Sequence, residues 1–292
     1  MQSPPPLFDP SLYRLRLARA YRQGPADFLL ARAADDLADR LSVITRRFPL
    51  ALDWASPGPH AAEVIATSGL CETLIRAAPL PAAQGFGPWH NLVCDPALVP
   101  FKPQSLDLIT SLFALQTIDD LPGTLVQIRR ALKPDGLLIG TLLGGETLQE
   151  LRSVMMEAET LCEGGVSPRI APFAGVRDIG GLLQRAGLAL PVTDSDLVTV
   201  RYDTLFDLVH DLRRMAASNP LLSRRKQPLK QQTLIEAARL YAERFSDPDG
   251  RIRASFELIW FSGWAPHPDQ QKPLKPGSAQ MRLSDALKPQ TP

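Results

Sequence analysis

Asp53, Ser56 and Gly58 follow a short apolar run at 50–54 (LALDW), and Asp95 follows another at 91–94 (NLVC). Such residues directly after a strand are the groups that hold a nucleotide-type ligand. Glycine lets the backbone approach, a carboxylate grips ribose hydroxyls, and an acid or amide reads an adenine amino group. Leu112, ending a third run at 106–112 (LDLITSL), completes the candidate cofactor-binding set: Asp53, Ser56, Gly58, Asp95 and Leu112. Asp95 has two open readings, an adenine contact or an Asx-type turn ahead of Pro96. Neither G-x-G-x-x-G nor G-x-x-x-x-G-K-[ST] occurs, which disfavours nicotinamide and nucleoside-triphosphate enzymes. His60, His90, His210 and His267 form no ligand pattern, so no metal is expected and no catalytic residue is assigned.

These residues need a scaffold, and strand and helix signals alternate as in a parallel sheet covered on both faces. The strand candidates are 50–54, 73–75, 91–94, 106–112, 137–143, 197–202 and 252–264. Helical spacing marks 25–44, 121–132, 146–162, 174–186, 205–217 and 233–245, with Gly187 placed to end the fourth of these. An arginine-bearing segment from Arg14 to Arg22 reads as an N-terminal helix rather than a transit peptide. The expected organisation is N-terminal helices over 1–45 and an α/β domain over 46–264. Helical insertions at 146–187 and 204–246 should cover the cleft and form the partner surface, and a Pro-rich extended tail follows at 265–292.

Composition sets limits. A net charge of +1 over 292 residues and 7% aromatic residues point away from nucleic acid as a partner. No apolar run reaches the roughly 20 residues of a membrane span. Cys71, Cys94 and Cys162 are widely spaced with no CxxC, so neither zinc nor a disulfide framework is indicated; a reducing, cytoplasmic location is expected.

The segments ALDWASPGP (51–59), CDPALVPFKPQSLDLITSLFALQTIDDLPGTL (94–125) and IRRALKPDGLLIG (128–140) resemble successive motifs of class I S-adenosylmethionine (SAM) methyltransferases. At the same level they resemble the malonyl-carrier methyltransferase of biotin synthesis. A narrower likeness runs through GTLLGGETLQELR (140–152), 163–196, 200–219 and 245–279, together with LFDPSLYRLRLARA (7–20). These resemble the assembly factor 5 family of respiratory complex I in its alphaproteobacterial form. That resemblance implies a Rossmann-like fold with a mostly parallel seven-stranded sheet, SAM as cofactor, and a complex I subunit as protein substrate or partner. Attachment at the inner membrane through that partner is left open.

The likeness also implies a D-x-G-x-G-x-G loop and an acid closing the second strand. The chain has Asp53-Trp54-Ala55-Ser56-Pro57-Gly58-Pro59, and no acid from Leu74 to Pro79. Pro57 and Pro59 remove two N–H donors. The leading expectation is therefore a SAM-dependent methyltransferase-like protein acting on a protein partner. A non-catalytic assembly chaperone with a degenerate SAM pocket, and a protein-arginine hydroxylase, stand as alternatives. Glu146 either caps a helix or faces the cleft with Arg152. The basic residues Arg213, Arg214, Arg224, Arg225 and Lys226 form either a solvated face or a docking surface for an acidic partner.

Overall fold

The computed structural model describes residues 5–81 and 86–270. Seven strands form one sheet: β1 (Phe48–Trp54), β2 (Cys71–Ala78), β3 (His90–Val93), β4 (Leu106–Leu112), β5 (Leu132–Leu143), β6 (Ala189–Tyr202) and β7 (Ile252–Trp264). Their order is β3-β2-β1-β4-β5-β7-β6; β7 runs antiparallel to both neighbours and the other pairings are parallel. The fold is therefore the Rossmann-like, mostly parallel arrangement of class I methyltransferases. Strand order reverses between β1 and β4, the point where such sheets bind ligands.

The eight helices among the described residues are α1 (Pro10–Gln23), α2 (Phe28–Ser42), α3 (His60–Thr67), α4 (Leu121–Ala131), α5 (Gln149–Glu163), α6 (Val176–Arg185), α7 (Leu205–Arg214) and α8 (Gln231–Phe245). The central strands are nearly continuous apolar runs because both faces are covered. Leu125, Ile128, Ile179 and Leu183 bring α4 and α6 onto one face. Leu37, Leu41, Ala61 and Ile65 bring α2 and α3 onto the other, around Trp260.

Leu143, the last residue of β5, pairs with Leu258, so 252–257 of β7 and 197–202 of β6 continue past β5 as a two-stranded ribbon. Tyr202, Ile252, Ala254 and Phe256 on this ribbon pack with α5, α7 and α8 in a core of their own. The ribbon leaves on the side of the sheet where the parallel strands end. The ribbon is thus a platform that carries three helices beside the ligand-binding edge.

Several boundaries differ from the sequence expectation. The helix expected over 25–44 begins at Phe28, because Gly24 (φ 82°) and Pro25 form a link between α1 and α2. The Ala26 N–H in that link donates to the Arg214 carbonyl at 3.3 Å, and the Arg214 guanidinium donates to the Gly24 carbonyl. β6 starts at Ala189 rather than at 197. Its Pro191 is tolerated because β6 is an edge strand, with a register irregularity between Ala189 and Val192. Of the tail expected over 265–292, residues 271–292 lie outside the described residues.

Candidate cofactor and partner site

Asp53, near the end of β1, and Arg76, near the end of β2, are register partners, and both are fully buried. The Arg76 guanidinium donates to Asp53 Oδ2 and, at 3.1 Å, to the Ser56 carbonyl. Ser56 Oγ donates to Asp53 Oδ1 and accepts the Leu112 N–H at 3.0 Å. Three of the five expected cofactor residues thus form one closed cluster at the switch point, completed by an arginine that the sequence reading had passed over. Gly58 sits under α2: a Cβ there would lie 2.7 Å from Leu30 Cδ2 and 3.0 Å from His60 Nδ1.

Asp95 stands apart from the cluster. Its Oδ1 accepts the Ala97 N–H at 3.0 Å, forming an Asx turn, and its Oδ2 pairs with Arg14 at 3.0 Å. Arg14 belongs to α1, which lies against the end of β2 through Tyr13, Leu17 and Tyr21 packed with Ala78 and Leu80. The Tyr21 hydroxyl donates to the Pro57 carbonyl, tying α1 to the loop after β1. Burial pushes the hydroxyls of Tyr13 and Tyr21 up to about 12, so both stay neutral donors at any ordinary pH.

Beyond this closed corner opens a cavity of about 1090 Å³. It reaches the loop after β1 at Pro57, Gly58 and Pro59 and the loop after β4 at Phe113, Gln116 and Thr117. Asp53, Ser56, Asp95 and Leu112 are not among its described lining residues. Its apolar walls come from α5 (Leu151, Met155), α7 (Phe206, Val209) and Phe256. Phe113 (φ 51°) and Leu148 (φ 55°) line it in the left-handed region, and Ala55 (φ 59°) lies just behind. Such strained positions persist where surrounding structure over-determines them, and they gather at functional sites. Gln116 Nε2 donates to the Phe113 carbonyl at 2.8 Å, while its buried Oε1 has no partner.

Glu146 lies ahead of α5, whose N-cap is Leu148; its N–H donates to Glu257 Oε2 at 2.9 Å and its carbonyl accepts the Gln149 N–H at 3.4 Å. Arg152 points back to the Gly145 and Thr147 carbonyls. Three of the five basic residues are engaged internally: Arg214 with the Gly24 carbonyl, Arg224 with Asp9 and Arg225 with Glu163. Only a structure could have found these pairings, because their partners are 62 or more residues away.

A methyltransferase-domain family profile matches residues 58–140. Solved structures agree on the fold: the YcgJ protein of Bacillus subtilis matches at TM-score 0.54 and 12% identity, covering 81% of this chain and 99% of that one. The zebrafish (Danio rerio) protein named arginine-hydroxylase NDUFAF5, mitochondrial, is 38% identical over 90% of this chain and 83% of its own length. The mouse protein of the same name is 36% identical over 97% of this chain and 84% of its own length. This chain belongs to the NDUFAF5 family. These NDUFAF5 relatives are named as mitochondrial proteins, so the cytoplasmic location expected from cysteine usage is withdrawn. Cysteine spacing reports a redox environment and cannot tell one reducing compartment from another. No described helix is long and apolar enough to cross a membrane.

Fold and homology suggest a SAM-type methyltransferase site, which in sheets of this kind lies at the switch point. The residues present do not fit that ligand's usual grip. Both Asp53 oxygens are engaged within the protein, the Leu112 N–H is taken by Ser56, and a cation stands at the end of β2 where ribose would need an acceptor.

Proposed function

We propose that this NDUFAF5-family chain acts on a protein partner in the assembly of respiratory complex I, receiving an arginine side chain of that partner in the cavity. The observation that carries the reading is the cavity itself, about 1090 Å³ walled by α1, α5 and α7 and opening beside the switch point. Its volume exceeds what a lone side chain needs and accommodates a side chain with its flanking peptide. Among its lining residues, Asp27 (3.3 Å from His60 Nε2), Glu63 and the unpartnered Gln116 Oε1 are acceptors, while the lining Arg16, Arg169, Arg224 and Arg225 are held by acceptors of the protein itself. A guanidinium carries five N–H donors in a fixed fork and suits such a set. The name of the relatives, arginine-hydroxylase, supports the choice of side chain.

The test is capture of complex I subunits by the tagged full chain, followed by chemical cross-linking. Expected are cross-links between one subunit and cavity-lining residues. Lysine in place of the captured arginine should weaken binding, as should the pair Asp27→Asn and Glu63→Gln. Each lost charge-assisted hydrogen bond is worth about 1.5–3 kcal/mol, roughly tenfold or more in affinity. Capture of no complex I subunit, or indifference to the arginine, would sink the reading.

A further inference from the structure

SAM is a cationic ligand: its sulfonium and α-ammonium seek carboxylates, and its ribose hydroxyls and adenine amino group seek acceptors. At the switch point the acid positioned to offer such an acceptor is Asp53, and it is fully buried against Arg76. The Arg76 guanidinium also holds the Ser56 carbonyl, and Ser56 Oγ holds the Leu112 N–H. Every one of these contacts is of the kind the ligand would have to make. Freeing Asp53 for a ligand means breaking a buried ion pair, which costs on the order of a hundred- to a thousandfold in affinity.

The outer side of the same corner is closed as well. Helix α1 packs on Ala78 and Leu80 at the end of β2, Tyr21 holds the Pro57 carbonyl, and Arg14 takes the remaining oxygen of Asp95. The cavity meets the loop after β1 only from Pro57 onward, and opens towards α5 and α7 instead. Inner cluster and outer strap meet at the loop after β1, where Tyr21 bonds the carbonyl of the residue following Ser56, and together they cover the ends of β1 and β2.

We infer that Arg76 stands in for the cofactor: the chain closes its switch point with the Asp53–Arg76–Ser56 cluster, holds no SAM there, and engages its partner without it. The partner half of this statement rests on the function proposed above; the cofactor half does not.

The wild-type full chain decides both halves. Calorimetric titration and thermal melting with SAM and with S-adenosylhomocysteine, up to millimolar ligand, should give no saturable heat and no rise in Tm. A class I methyltransferase with an intact glycine loop, run alongside, should saturate. Saturation of this chain anywhere in the range of roughly 1 µM–1 mM typical of enzyme ligands overturns the inference. Partner capture is then compared with and without added SAM. Equal capture supports the inference, and SAM-dependent capture overturns it. Loss of capture under both conditions removes the proposed function instead, and leaves the titration result to stand by itself.

Discussion

Asp53 and Arg76 face each other from adjacent parallel strands, and neither side chain is exposed to solvent. Burial pushes the Asp53 carboxyl up, while Arg76 and the Ser56 hydroxyl pull it down. Arg76→Met or Asp53→Leu alone should each cost about 3–5 kcal/mol, because either leaves an uncompensated buried charge. The double replacement Asp53→Leu with Arg76→Met should cost far less than the sum. Urea unfolding of the four proteins measures the coupling. Additive losses would show that the two residues do not act as a pair.

Ala55 stands in the left-handed region at φ 59°, with its N–H donated to the Ala77 carbonyl at 2.8 Å. That conformation costs a residue with a Cβ about 1–2 kcal/mol. Glycine would relieve it but would gain about 0.4–1 kcal/mol of freedom in the unfolded chain. Ala55→Gly should therefore stay within about 1 kcal/mol of wild type, whereas Ala55→Val should lose about 2 kcal/mol or more. The denaturation midpoint, at unchanged slope, reads both.

The buried tyrosines of α1 make the strap sensitive to alkali. Burial first, and for Tyr13 the neighbouring Tyr21, raise these hydroxyls to about 12. The unfolded value is about 10, so the folded state holds its protons longer. Their contribution is complete below about pH 10 and is lost as pH rises through about 12. Tyr13→Phe with Tyr21→Phe should flatten that limb of the stability profile. Tyr21→Phe alone should cost about 1 kcal/mol and speed amide exchange in the loop around Gly58.

On the acid side the responsive group is Glu159 of α5. Burial works to raise its carboxyl, but the Ser167 hydroxyl and N–H and the Arg169 guanidinium outweigh it and hold it below the usual range. A depressed folded value gives stability that is present above the unfolded pKa, about 4.3, and lost as pH falls through the folded one. Glu159→Gln should lower the urea midpoint at neutral pH and leave a shallower acid limb. Arg169 and Ile170 line the cavity, so the same variant should loosen that wall.

β4 and β7 are readable as 106–112 and 252–264 because Pro103–Ser105 precedes the first apolar run, while Asp247–Gly250 and Pro266 bracket the second. β6 was cut short because Pro191, Asp194 and Asp196 look like strand breakers. An edge strand tolerates them, since Arg40 and Arg32 of α2 cover the two acids. Periodicity has no access to that pairing. Arg76 did leave a signal: an arginine inside the run Leu74–Ile75–Arg76–Ala77–Ala78 requires a buried acceptor, and Asp53 was the acid at hand. For the cavity, the sequence offers only the expectation that insertions cover a cleft; the wall from α1 is not legible, because it comes from a segment more than 100 residues away.

Helix α1 and the residues just before it reach partners very distant in the chain. Leu7 donates to Asp119, the Asp9 N–H donates to the Pro220 carbonyl, and Arg16 donates to the Ser218 carbonyl. The ribosome emits α1 before the strands, yet the contacts of this segment are not complete until the chain has passed Arg224. The central strands can pair earlier, since their contacts are more local. During synthesis, then, the five parallel strands β1–β5 can pair before the cavity closes, because its walls need Arg224, Arg225 and Phe256.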